Sequence, residues 1–371
     1  MHLKRVTITQ FKNYPTVSVD WSPGVNCLTG QNGMGKTNML EAIYYLCMCR
    51  SCRRLTDRQL PTHGSPFFRL DGVFALNAEE SGRVVAKVGA GKKKVFEWNG
   101  TSYTRLADHI GRLPVVAVLP EDTSIVTEGS EGRRNFFDTT FSQIDRAYLT
   151  HLITYNRLLQ QRTSLVKTMA TNRQWSEEML DTYDRQMLEP ATVIFGKRQE
   201  YAAAMAPVFT EYYKLLADDR EEASYTYRSQ LQDGDWMELM QSCREKDRVL
   251  QRTTSGLHRD DWQFHIGAEG VKRFASQGQV KSVILALKLA QYTILSEHHG
   301  FPPILLLDDL FDKLDAGRAS RLLTLLARQS FGQVFLTDTD QDRIAAIARN
   351  FQADFRMFTV HEALITPIAA T

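Results

Sequence analysis

A chain of 371 residues, 43% of them apolar, can bury a large core and is long enough for two domains, which excludes an intrinsically disordered polymer. Its formal net charge of +2 excludes a uniformly basic exterior, so any surface for a polyanion has to be a local patch made by folding. Five cysteines are too few for a secreted disulfide framework, and no apolar stretch approaches the roughly 20 residues that cross a bilayer, so the expected setting is the cytoplasm.

In the opening run, Leu3, Val6, Ile8 and Phe11 alternate with polar residues and VSVDW follows, which predicts two strands joined through residues 13–15. Residues 25–28 predict a short buried strand that feeds GQNGMGKT, residues 30–37. This run fits G-x-x-x-x-G-K-[ST], in which glycines close a tight turn, backbone N–H groups point at phosphate oxygens and the lysine adds a mobile positive charge. Gly30, Gln31, Asn32, Gly33, Met34, Gly35, Lys36 and Thr37, with Asn38 opening a helix expected over 38–47, form a candidate nucleoside triphosphate site.

Arg50, Arg53, Arg54 and Arg58 then cluster against one acid, Asp57, a grouping suited either to DNA phosphates or to a solvated helix end. Strands with turns between them follow from 67 to 100, and Lys92, Lys93 and Lys94 lie near a hairpin turn that reads as solvated or, alternatively, as a binding element. LPVVAVLP, residues 113–120, predicts an apolar strand bounded by prolines. Beyond it, Arg133, Arg134, Phe136, Phe137 and Phe141 mark the way into another domain. Between 148 and 216 helical spacing predicts several long helices, with Pro190 and Pro207 at starts or bends.

Near Asp247 the pattern changes again. Trp262, Phe264 and Ile266 predict a strand, and FASQGQ, residues 274–279, is a polar glycine turn before a well-buried helix whose N-terminus is a second candidate anion site. Residues 304–307 form a continuous apolar run that predicts a central strand with Asp308 and Asp309 at its carboxyl end. One carboxylate there suits Mg²⁺, with an oxygen from Thr37, and the next suits orienting or activating water. Residues 332–338 predict a last core strand ending in Thr337 and Asp338, which reads equally as a surface turn or as a sensor of terminal phosphate.

Taken in order, GQNGMGKTN, GSEGRRNFFD, SGLHRDD, FASQGQ, ILLLDDLFDKLD and QVFLTD resemble the RecF family, bacterial DNA replication and recombination-repair ATPases related to SMC heads and ABC ATPases. The resemblance runs from FKNY near the start to at least Thr337. It implies an α/β fold with an ABC/SMC-type ATP-binding lobe made of residues 1–125 and 250–371 and a mostly helical inserted lobe over 126–249. ATP and Mg²⁺ are the implied cofactors. Lys36 would be a triphosphate ligand with a catalytic part, Thr37 and Asp308 would hold Mg²⁺, and Asp309 would position water as general base. Ser276 and Gly278, with Gln279 nearby, would face the γ-phosphate held by a second subunit, and Asp315 would adjoin that interface. Gln59 is one candidate for a glutamine linking Mg²⁺ to the lobe interface. Thr337 stands where many ABC ATPases have a switch histidine, so no imidazole mechanism is carried over.

The implied activity is weak, DNA-dependent hydrolysis of ATP to ADP and phosphate, without nuclease or helicase action. The implied partners are double-stranded and gapped DNA, single-stranded DNA, a second copy in an ATP-dependent homodimer, and a RecR-like recombination mediator, with no membrane. DNA repair and the SOS response are the implied setting. An SMC-like ATPase that organises chromosomes or DNA ends is the leading alternative, and an ABC transporter ATPase a more distant one.

Overall fold

The computed structural model describes residues 1–217, 221–310, 316–328, 331–341, 343–344 and 354–368. The chain divides into two compact units, the first made of Met1–Asp122, Leu215–Asp218 and Lys281–Thr371, the second of Thr123–Lys214 and Asp219–Val280.

Two six-stranded sheets build the first unit. The outer one is antiparallel and holds β1 (His2–Phe11), β2 (Tyr14–Asp20), β4 (Phe67–Ala75), β5 (Ser81–Gly89), β6 (Val95–Trp98) and β7 (Thr101–Ser102) in the order β2-β1-β4-β5-β6-β7. Alternation decides its register: Leu3, Val6, Ile8 and Phe11 of β1 are fully buried, with a shift between Leu3 and Arg5 that keeps the apolar set on one face. The inner sheet holds β3 (Val25–Thr29), β8 (Val115–Val118), β12 (Ile304–Leu307), β13 (Val334–Asp338), β14 (Phe355–His361) and β15 (Leu364–Ile368) in the order β15-β14-β3-β13-β12-β8. Every residue of β3, β8, β12 and β13 is buried, as a parallel sheet covered on both faces requires, and only the edge strand β15 runs antiparallel.

Helix α1 (Lys36–Met48) contributes to the core between these sheets, with every residue except Thr37 and Asn38 buried. Tyr45 packs edge-on to Phe68 and stacked with Phe96. The two ends of the chain are tied by Gln333, which is buried: its Oε1 accepts from Leu3 N at 2.7 Å and its Nε2 donates to the Leu3 and Ser22 carbonyls at 2.8 and 2.7 Å.

The second unit contains α2 (Ser124–Thr127), α3 (Ser130–Ile144), α4 (Arg146–Asn172), all of α5 (Glu177–Ala217) up to Lys214, α6 (Trp236–Ser242), α7 (Arg244–Leu250) and α8 (Val271–Phe274). Its three-stranded sheet is β11 (Glu269–Gly270), β10 (Asp261–Ile266) and β9 (Ala223–Arg228) in that order. Helices α9 (Gln277–His299) and α10 (Ala316–Arg328) follow them in the chain. Two features differ from the sequence reading. Pro190 and Pro207, expected at helix starts or bends, lie inside one 41-residue helix, α5, and so start no helix. Each proline removes one N–H, but Met187, Ala191, Ile194, Met205 and Phe209 keep a buried stripe at helical spacing across both sites. The inserted lobe was expected to end at 249, whereas the compact unit runs on to Val280. Pairing of β10 with β9 and stacking of Trp262 on Phe137, with ring centroids 4.3 Å apart, bind that later segment to the helices before it.

Candidate nucleotide-binding site

Strand β3 ends at Thr29, and the next six residues form a loop that turns into α1. Two glycines in it are set by close approach. Gly30 has φ +151° and a Cβ there would lie 2.3 Å from the Val360 carbonyl oxygen; Gly35 has φ +118° and its Cβ would meet Asn13 Nδ2 at 2.7 Å and Tyr14 Oη at 2.9 Å. The loop is gripped from both sides. Asn13 Nδ2 and Ala363 N donate to the Met34 carbonyl at 3.0 and 3.2 Å, the Tyr14 hydroxyl donates to the Gly35 carbonyl at 3.0 Å, and Asn38 Nδ2 donates to Asn13 Oδ1 at 2.8 Å. Gln31, Asn32 and Gly33 are left as an exposed crest. Lys36 is buried, and its Nζ donates to the Gly30 and Gln31 carbonyls at 2.7 and 3.2 Å.

Asp308 and Asp309 follow the last residue of β12, and the parallel register of β12 with β13 sets them beside Thr337. Asp308 Oδ1 accepts from the Thr37 hydroxyl at 2.9 Å and from the Thr337 hydroxyl at 2.8 Å, while Asp309 N donates to Thr337 Oγ1 at 2.9 Å. Asp309 holds φ +42°, a left-handed conformation that a short polar side chain tolerates better than most. Burial pushes the Asp308 carboxyl up to about 6; the Asp309 and Glu121 charges push the same way, and the bonds from Thr337 and Thr37 oppose them. Thr337 is fully buried, and Asp338 is buried in an ion pair with Arg343 (Oδ2 to Nε 2.9 Å), so these residues do not form a surface turn.

The Thr37 hydroxyl and the Asp308 carboxylate are hard oxygen donors already bonded to each other. That donor chemistry fits Mg²⁺.

A family model described as the RecF/RecN/SMC N terminal domain matches residues 2–363. The DNA replication and repair protein RecF of Cytophaga hutchinsonii is 40% identical over 360 residues, which is 97% of this chain and 95% of the relative. This chain belongs to the RecF family. The RecF of Phocaeicola vulgatus is 38% identical over 99% of this chain and 98% of its own length. Among solved structures, the recombination mediator protein RecF with ATPrS, of the RecFOR pathway, is similar with a TM-score of 0.88 at 26% identity, covering 99% of this chain and 98% of that one. An Smc head domain from Pyrococcus furiosus shares the fold at a TM-score of 0.56 and 14% identity. The fold is therefore the α/β ABC/SMC type.

The remaining RecF-like positions fall as follows. Ser276, Gly278 and Gln279 lie in the second unit, where Ser276 N donates to Gln279 Oε1 at 2.7 Å and Gln279 N donates to Ser276 Oγ at 3.2 Å. This reciprocal pair caps the start of α9, and S-x-x-Q is itself a sequence signature of such a cap. Gln279 Nε2 also donates to both carboxylate oxygens of Glu221, at 2.9 and 3.0 Å. Gln59 accepts from Thr56 N and Oγ1 at 2.8 and 2.9 Å and so caps a short turn. Asp315 lies outside the described residues.

The two arginines at the way into the second unit are held in its packing. Arg133 is 7% exposed; its Nε and Nη2 donate to Asp261 at 2.6 and 3.2 Å, and its Nη1 donates to the Ile125 and Glu128 carbonyls. Arg134 donates to Ser130 Oγ and the Asp260 carbonyl at 2.6 and 2.8 Å. Both hold the second unit together. Arg53 pairs with Glu121 at 2.7 Å near the surface. Among the described residues, no helix is long and apolar enough to cross a membrane.

Proposed function

We propose that this RecF-family protein binds ATP with Mg²⁺ at the loop of residues 30–37, hydrolyses it slowly, and uses the nucleotide to control dimerisation on DNA during replication and repair. The observation that carries the reading is the bonded set Thr37, Asp308, Thr337 and Asp309 at the foot of a glycine loop that already encloses Lys36. The RecF relatives and the RecF structures with ATP and ATPrS support it.

Backbone N–H groups of the loop, the α1 N-terminus and Lys36 would hold the triphosphate. Thr37 and Asp308 would hold Mg²⁺, which when bound supplies charge neutralisation at the phosphate oxygens. Asp309 would orient a water and accept its proton at a carboxylate oxygen. Thr337 fixes the Asp309 backbone through the bond its hydroxyl accepts, so the water-positioning group is held without a histidine. Ser276, Gly278 and Gln279 would meet the triphosphate of a second copy, giving a two-nucleotide homodimer. That dimer would favour gapped and double-stranded DNA, contact single-stranded DNA, and recruit a RecR-like mediator in the cytoplasm.

The test is equilibrium binding to matched gapped, duplex and single-stranded DNA with and without ATP, using the protein and its Asp309→Asn variant, alongside hydrolysis. The expected result is ATP-strengthened binding to gapped or duplex DNA in both proteins, with turnover in the variant reduced by about 10²-fold or more. DNA affinities that ATP leaves unchanged would refute the control mechanism, and equal turnover would remove Asp309 from the chemistry.

A further inference from the structure

The described surface of the first unit carries a second anion-suited concavity. The turn between β5 and β6 brings Lys92 and Lys93 beside Arg58, which belongs to a basic run more than thirty residues earlier, and together they line a cavity of about 680 Å³. All three side chains are exposed, and none has an ion-pair partner among the described residues. The one acid in the lining, Asp57, is already neutralised: Lys94 Nζ lies 3.0 Å from its Oδ2, and the Tyr45 hydroxyl donates to its Oδ1 at 2.9 Å. The cavity therefore presents three uncompensated positive charges. Ser65, Gly89, Ala90 and Gly91 supply short walls, and Gly91 at φ +69° has nothing within 4 Å of a Cβ, so a bulky chain can approach the backbone closely.

We infer that this groove is a binding surface for the phosphate backbone of DNA. The inference rests on the DNA-binding reading above and assigns that reading a surface. Lining chemistry selects the ligand class. Separate, flexible cations suit successive phosphodiesters, whose neutralisation releases counterions. No aromatic side chain lines the cavity, so it has no platform on which a free nucleotide's base would stack. The groove thus holds the strand without reading its sequence. Of the two sequence readings of the lysine turn, it takes the binding element, because the fold sets that turn beside Arg58.

The experiment is fluorescence anisotropy of a labelled gapped duplex in the presence of ATP, from about 50 to 200 mM salt. It compares the unaltered protein, the triple variant Arg58→Glu, Lys92→Glu, Lys93→Glu, and a control with Lys167→Glu and Lys246→Glu on the second unit. ATP binding checks folding, and Lys92→Gln with Lys93→Gln serves if the triple variant does not fold. The groove variant should bind at least about tenfold more weakly, with a salt slope shallower by about 0.9 for each phosphate no longer neutralised, while the control keeps its slope. If the unaltered protein binds DNA and the groove variants keep the same slope, or the control weakens as much, the groove is overturned and the DNA reading stands. If the unaltered protein has no DNA affinity, both are overturned.

Discussion

Buried charge is treated differently by the second unit's arginines and by the nucleotide loop of the first unit. In the second unit each buried arginine is matched by carboxylates. Arg162 is wholly buried between Asp184 and Asp247, at 2.7 and 2.6 Å, and Arg198 lies between Asp138 and Asp260, at 2.9 and 2.6 Å. In the first unit, Lys36 is bonded to two backbone carbonyls and Asp308 to two hydroxyls, and the charges that act on Asp308, from Asp309 and Glu121, are acidic like its own. A charge matched by an ion partner fixes one packing and loses heavily when that partner is removed, whereas unmatched buried charge is held at a cost and attracts a ligand of opposite sign. The contrast separates charges that serve the fold from charges set aside for a triphosphate and a divalent cation.

The largest expected effect lies in the matched set. Arg162→Ala leaves Asp184 and Asp247 buried without their cation and should lower the unfolding free energy by about 3–5 kcal/mol, read by chemical denaturation. A loss below about 1 kcal/mol would mean that the network is not what stiffens this unit.

Next comes a change that should stabilise. The folded Asp308 carboxyl titrates at about 6 against an ordinary value of 3.8, so between those pH values the native state keeps a proton that the unfolded chain has released. Stability contributed by this group therefore falls as pH rises through that window and is flat above it. Asp308→Asn carries no such penalty. Without nucleotide it should be more stable than the original protein at pH 8, by on the order of 1–3 kcal/mol, with the gain disappearing near pH 4. Melting curves across pH measure this, and a variant that is less stable at pH 8 would show that Asp308 is not held against its own burial.

The smallest effect concerns the cap of α9. Ser276→Ala removes the hydroxyl that accepts from Gln279 N and should cost about 1 kcal/mol of stability whatever the residue does toward a second subunit. Loss of nucleotide-dependent dimerisation in a variant whose stability is unchanged would separate the two roles.

How much of this was legible in the sequence depended on distance along the chain. Alternation in β1 and the unbroken apolar runs of β3, β8, β12 and β13 are local, and so is the glycine loop with its lysine; each could be read directly. The two grips on the loop could not. Asn13 and Tyr14 hold Met34 and Gly35 through backbone carbonyls, and Ala363 reaches Met34 from the other end of the chain, pairings that no residue pattern announces. The partner of Arg133, Asp261, is 128 residues away, so no local pattern shows that pair. Arg58 and the lysine turn looked unrelated for the same reason. Thr337 can be placed from its own sequence at the end of a strand, but its link to both acids follows from the parallel pairing of β12 with β13.

The central claim, that unmatched charge in the first unit is reserved for ATP with Mg²⁺, is tested most directly by calorimetric titration of ATP and Mg²⁺ into the unaltered protein and its Lys36→Ala variant, with unfolding measured on both. Lys36 is bonded to two carbonyls of its own loop, so its removal should change stability by less than about 1 kcal/mol while weakening ATP binding by about 10- to 150-fold. Equal ATP affinity in the two proteins, or a stability loss comparable to that of Arg162→Ala, would contradict the account.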